Sequence, residues 1–167
     1  MKIMDTSLDK RVWWNYIDQD LQELLKQALL LVDKVGSWDE KFHDYAFIVF
    51  PAAKAYEGFL KTLFHDLGFI TDEDFLGRRF RVGKALNPSL ESRFRKKESV
   101  YDKLVDFCQG KTFPDKLWET WSRGRNLLFH WFPNERNAIS FDEAKDRVSE
   151  ILGTIDLAFK ECKIDRK

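Results

Sequence analysis

Apolar residues return every three or four positions in three long stretches of this chain, and that repeat constrains its fold more than any other feature. The first stripe runs Trp14, Ile17, Leu21, Leu24, Ala28, Leu31 and Val35. The second is Ala52, Ala53, Tyr56, Leu60, Leu63 and Leu67, and the third Phe141, Ala144, Val148, Ile151, Ile155, Ala158 and Cys162. Spacings of three and four keep side chains on one side of an α-helix. No stretch alternates apolar and polar residues as a half-buried strand does. The pattern predicts an all-α bundle of four main helices with additional short ones. With 167 residues one domain spanning the chain is expected, with a charged tail from about residue 163.

Local punctuation sets the expected boundaries. The first helix should start near Asp5-Thr6-Ser7 and stop at Gly36, where a left-handed residue is wanted. Ser37-Trp38-Asp39-Glu40 reads as a capping box opening a second helix near Trp38, which runs to Leu67 with Gly68 as its cap. Pro51 should kink or split that helix. Tyr45 to Ala53 carries no charged or amide side chain, so it should be buried on most faces. Thr71 and the acids after it should start a short helix, and Ser99 to Gln109 another, ended by Gly110. Pro114 suits the first turn of a helix that continues to just before Pro133. A turn at 133–137 and a second capping box, Ser140-Phe141-Asp142-Glu143, lead into the last helix.

Composition excludes several classes. Six Trp and fifteen Phe argue against disorder, and a net charge of zero announces no nucleic-acid partner by itself. Cys108 and Cys162 form no cluster with each other or with histidines, so neither a disulfide framework nor a metal site is expected. No cofactor is expected either. Without a signal-like N-terminus or an apolar run of spanning length, a cytoplasmic protein away from membranes is anticipated.

The chemistry is concentrated in Trp121-Ser122-Arg123-Gly124-Arg125-Asn126-Leu127-Leu128-Phe129-His130. His130 can exchange a proton near neutral pH. Arg125 is a permanent cation whose fork suits a phosphate or a developing phosphorane. Together they can serve transesterification at an RNA phosphodiester without a metal. On a straight helix Asn126 and His130 share a face, while Arg125 lies roughly 140° from His130. A long side chain, or a second copy of the helix, must close that gap. The plainer reading is a cation near a helix C-terminus.

A second basic feature lies between Arg78 and Lys97, where Arg78, Arg79, Arg81, Lys84, Arg93, Arg95, Lys96 and Lys97 face one acid, Glu91. Phe80 and Phe94 sit among them. Two readings fit: a solvated connection docked by its aromatics, or a surface that tracks RNA phosphates.

The helix order and the Arg-Asn-x-x-x-His unit resemble the HEPN superfamily, whose signature is arginine and histidine four to six residues apart. The stretch Phe47-Ile48-Val49-Phe50-Pro51-Ala52-Ala53-Lys54-Ala55-Tyr56-Glu57-Gly58-Phe59-Leu60-Lys61 is similar to the second conserved helix of the HEPN domain in the RNase LS toxin family. That resemblance implies a HEPN-like bundle and a metal-independent endoribonuclease acting as a toxin or in anti-phage defence. It adds Lys54 and Glu57 to Arg125, Asn126 and His130 as catalytic residues. Arginine is usual where this chain has Lys54. The resemblance also implies a homodimer and an antitoxin partner, yet the toxin family's additional N-terminal domains are missing here. A non-catalytic RNA-binding or partner-binding module of the same fold is the alternative.

Overall fold

The computed structural model describes residues 7–133 and 137–161. Among them every regular element is helical: α1 Gln19–Val35, α2 Ala46–Asp66, α3 Asp72–Leu76, α4 Val82–Ala85, α5 Ser92–Glu98, α6 Val100–Cys108, α7 Thr112–Trp121 and α8 Phe141–Glu161. Two 3-10 turns, Leu8–Lys10 and Trp14–Tyr16, precede α1, and a π-helical turn, Ser122–Asn126, continues α7. The all-α expectation holds. None of the described helices is long and apolar enough to cross a membrane.

The core forms around α2, which packs against both α1 and α8, while α7 lies along α8. Phe59, Phe64, Leu60, Leu63 and Tyr56 of α2 are buried, facing Leu25 and Ala28 of α1 and Val148, Ile151 and Ile155 of α8. The closest approach of α1 to α2 is at Gly58, where a Cβ would lie 2.5 Å from Leu21 Cδ2. Tyr56 and the Thr120–Thr154 pair place buried polar groups in hydrogen bonds across the helices. The Tyr56 hydroxyl donates to the Leu117 carbonyl at 3.1 Å, and the Thr120 and Thr154 hydroxyls are 2.8 Å apart. Before α1, Trp13 Nε1 donates to Asp156 of α8 at 2.6 Å, and Arg11 forms an ion pair with the same carboxylate.

Several boundaries differ from expectation. Where one long first helix was expected, 3-10 turns precede α1; the Asp5-Thr6 part of that start lies outside the described residues. Ser37 does not cap α2: its hydroxyl donates back to the Lys34 carbonyl at 2.7 Å, and α2 starts eight residues after Trp38 would have opened it, at Ala46. There Asp44 Oδ1 accepts from Ala46 N and from Ile139 N, tying the helix start to the strand-like approach to α8. Pro51 lies inside α2 without splitting it. Phe47 and Phe50 are exposed, contrary to the expected burial of their stretch. Gly36 is right-handed and not the left-handed stop expected (φ −62°), pressed against Phe141. Gly68 does take φ +70°, and Phe69 N closes back on the Phe64 carbonyl, a Schellman end. After α6 the left-handed residue is Gln109 rather than Gly110. Both remaining caps are as read: Thr71 with Asp74, and Ser140 with Glu143, whose carboxyl is held below its usual range by the Ser140 backbone N–H and hydroxyl.

Cys108 is disulfide-bonded, against expectation. The chain's other cysteine, Cys162, lies outside the described residues, as do the charged tail and Asn134–Arg136 of the expected turn.

Candidate active site

The site starts where α7 changes pitch. Leu127 N donates to the Ser122 carbonyl at 2.9 Å, an i to i+5 bond that defines the π turn. Such turns are rare and concentrate at functional positions. Gly124 faces α8, where a Cβ would touch Ile151 Cδ1 at 3.4 Å. Arg123 and Lys116 both reach Glu150 of α8, at 3.3 and 2.8 Å, pinning the turn and α7 to that helix.

This anchoring presents Arg125 to α2. Its guanidinium carbon sits 4.9 Å from the centroid of the Trp121 ring, a cation–π contact one turn back. Its Nε donates to Glu57 Oε2 at 2.9 Å. Both side chains are partly exposed, Arg125 at 40% and Glu57 at 33%. The two terminal nitrogens of Arg125 have no protein partner among the described residues. One edge of the fork is held and the other is left to solvent or a ligand. Trp121 is itself fixed, since α4 passes so close that a Cβ on Gly83 would lie 2.6 Å from its Nε1.

The expected helix does not reach His130. α7 and its π turn end at Asn126, and 127–133 are irregular. Two features end it. Phe132 precedes Pro133 and is disfavoured from the α region. Asn137 Nδ2 donates to the carbonyls of Leu127 (3.1 Å) and His130, supplying from outside what a continuing helix would supply. The helical face shared by Asn126 and His130 is therefore absent. Both residues are exposed, and the His130 ring has Phe132 beside it, centroids 6.0 Å apart.

Of the five residues expected to form a catalytic set, Arg125 and Glu57 touch. Lys54 lies one turn before Glu57 on the same side of α2, exposed, and together they line a cleft against α1. Glu57 takes the arginine and not the imidazole as its partner. Lys54 and Lys61, one turn to either side of Glu57, form no ion pair with it among the described residues. Trp121, the platform beneath Arg125, escaped the sequence reading, although its i, i+4 spacing to Arg125 was the available signal.

The basic segment divides. Arg95 is committed, with Nε and Nη2 on Asp102 at 3.0 and 2.6 Å and Nη1 on the Pro88 carbonyl. Asp102 is held below the usual carboxylate range by that arginine. Lys84 pairs with Glu98 and lies 4.2 Å from the Phe94 ring centroid; Arg93 covers the same ring and pairs with Glu91. Arg78, Arg79, Arg81, Lys96 and Lys97 are exposed and make no ion pair among the described residues. The first group ties the connection to itself; the second remains available to phosphates.

Among the described residues no group of three or more His, Cys, Asp or Glu gathers where a cation could be held. No family model, curated protein or solved structure matches this chain.

The half-exposed Arg125–Glu57 pair gives a direct test. Pairs this exposed contribute about 0–1 kcal/mol to stability. Glu57→Gln should leave the melting temperature nearly unchanged while lowering any cleavage rate about tenfold, the effect of roughly 1.4 kcal/mol of lost orientation. Equal rates for variant and wild type would place this pair outside the chemistry.

Proposed function

We propose that this protein is a metal-independent endoribonuclease of HEPN type, acting in the cytoplasm as a toxin or in anti-phage defence. The observation that carries the reading is Arg125, fixed on Trp121 and Glu57 with one edge of its guanidinium left to solvent or a ligand, five residues before an exposed histidine. The motif resemblance supplies the substrate class. In the proposed step the ribose O2′ attacks the adjacent phosphorus and the P–O5′ bond breaks. The proton of the 2′-hydroxyl goes to a base and O5′ receives one from an acid, leaving 2′,3′-cyclic phosphate and 5′-hydroxyl ends. His130 moves protons, Arg125 stabilises the phosphorane, and Asn126 and Lys54 position the phosphate. Incubation of purified protein with total RNA in EDTA, followed by analysis of the ends, tests this directly. Ends bearing 3′-hydroxyls would overturn it.

One imidazole cannot be base and acid in the same step, which favours a homodimer with one His130 from each copy. An exposed aromatic surface supports that reading. Trp131 is 81% exposed, Phe129 and Phe132 are partly exposed, and Phe129 meets Phe50 edge to face at 5.6 Å. Of the three tryptophans on and just after α7, Trp121 is buried and Trp118 partly buried, so Trp131 is the one that fits as an interface anchor. Sedimentation of the wild type at micromolar concentration should give a dimer, and Trp131→Ser with Phe129→Ser a monomer. A fully active wild-type monomer would remove the dimer from the mechanism.

A second group of exposed aromatics favours the second reading, a non-catalytic module binding an antitoxin or another partner through Trp38, Phe42, Phe47 and Phe50. It is distinguished by intact folding with no cleavage of RNA by the wild type.

A further inference from the structure

The cleft beside the Arg125–Glu57 pair has a chemistry of its own. It lies between α1 and α2, measures about 640 Å³, and is floored where Gly58 meets Leu21. That volume is within the range of about 300–1,000 Å³ usual for small-ligand sites. Its two walls differ. On α2, Lys54 and Lys61 flank Glu57, and neither lysine forms an ion pair among the described residues. On α1, Asp20, Glu23 and Gln27 recur at three and four residues and so share one face. Asp20 Oδ1 accepts from Leu21 N at 3.0 Å and Glu23 Oε1 pairs with exposed Lys26 at 2.7 Å, and the second oxygen of each carboxylate has no partner among the described residues. One wall offers cations; the other offers acceptors.

We infer that this cleft is a nucleotide subsite that takes a guanosine unit of the RNA next to the phosphate at Arg125. The inference rests on the endoribonuclease reading for its place in catalysis, since Glu57 belongs to both the cleft and the arginine's ion pair. Lys61 and Lys54 meet the backbone phosphate as point charges. The base edge meets Asp20 and Glu23. Ionised carboxylates only accept hydrogen bonds. Guanine is the base whose Watson–Crick edge sets two donors side by side, N1–H and the N2 amino group. Adenine and cytosine each place a ring acceptor beside their amino group, and uracil flanks its one donor with two carbonyls. A carboxylate can therefore accept two hydrogen bonds side by side from guanine and at most one from each of the other three, which favours guanine.

The test uses the full chain carrying His130→Ala, titrated calorimetrically with 5′-GMP, 5′-AMP, 5′-CMP, 5′-UMP and ribose 5-phosphate. 5′-GMP should bind at least about tenfold more tightly than the other nucleotides, the discrimination of one well-made base contact. Asp20→Asn with Glu23→Gln should erase that preference, and Lys61→Ser should weaken all five ligands together. These side chains are exposed or partly so, and unchanged melting temperatures check the folding of each variant. No measurable binding, or binding equal for all four bases and indifferent to Asp20→Asn and Glu23→Gln, overturns the subsite. Guanine-selective binding in a wild type that fails to cut RNA keeps the subsite and removes the ribonuclease. Cleavage of RNA without nucleotide binding does the reverse.

Discussion

Replacing His130 by alanine should lower RNA cleavage at least about 100-fold, the usual contribution of a positioned proton-transfer group. Replacing Arg125 by alanine should do the same by a different route, leaving the phosphorane charge unmet. Neither change should disturb the fold. His130 is exposed and its ring makes no hydrogen bond among the described residues, so its loss falls within the range of about ±0.5 kcal/mol for surface substitutions. Arg125 gives up one half-exposed ion pair. Arg125→Lys separates charge from shape: lysine keeps the charge but not the planar fork that bonds Glu57 through one edge and a phosphate through the other. Its rate should fall nearer to that of the alanine variant than to wild type. All rates should be the same in EDTA. Cleavage abolished by EDTA, or surviving both alanine substitutions, would sink the proposed chemistry.

The second large effect is on stability. Phe59 is fully buried on α2, with ring centroids 6.2 Å from Tyr56, 6.3 Å from Tyr16 and 6.4 Å from Phe159. It joins α2 to α8 and to the turns before α1. Phe59→Ala should cost about 3–5 kcal/mol, because the three remaining rings cannot collapse into the space without moving their helices. For a chain of this size that is a fall in melting temperature of roughly 6–20 °C. Glu57, two residues earlier, points about 160° away around the helix. Cleavage per folded molecule at low temperature should therefore stay near wild type. A shift in melting temperature below about 2 °C in calorimetry would contradict the placement of this ring at the centre of the core.

The parts of the fold that were legible in the sequence are those written in neighbouring residues. The α8 stripe and its Ser140–Glu143 box involve partners at most four apart, and the structure repeats both. The Gly68 stop is equally local. What could not be read depends on distant partners. The failure of the Ser37 box came from Asp44 bridging to Ile139, 95 residues on. The early end of the Arg125 helix came from Asn137 reaching back to two carbonyls. The candidate site divides the same way. Arg125 and His130 were visible as a spaced pair, whereas Glu57 lies 68 residues from Arg125 and entered only through resemblance. The acceptors of α1 carry no motif; they gain meaning only from facing Lys54 and Lys61 across a cleft.

A π turn is an α-helix carrying one surplus residue, and in this chain the surplus falls at Ser122–Asn126. It works as a phase shifter. Every position beyond it is rotated by about 100° relative to an uninterrupted helix, the angle of one residue step. The ring of Trp121, before the shift, and the guanidinium of Arg125, within it, lie together on the side of Glu57. Excising a single residue from this turn would let the helix relax to its ordinary pitch. The chain leaving the turn would then start about a quarter-turn further around the axis, and Leu128, buried against the core, would lose its place with no side chain of the site altered. Where the segment carrying His130 begins is thus encoded in a count of residues as well as in their identities.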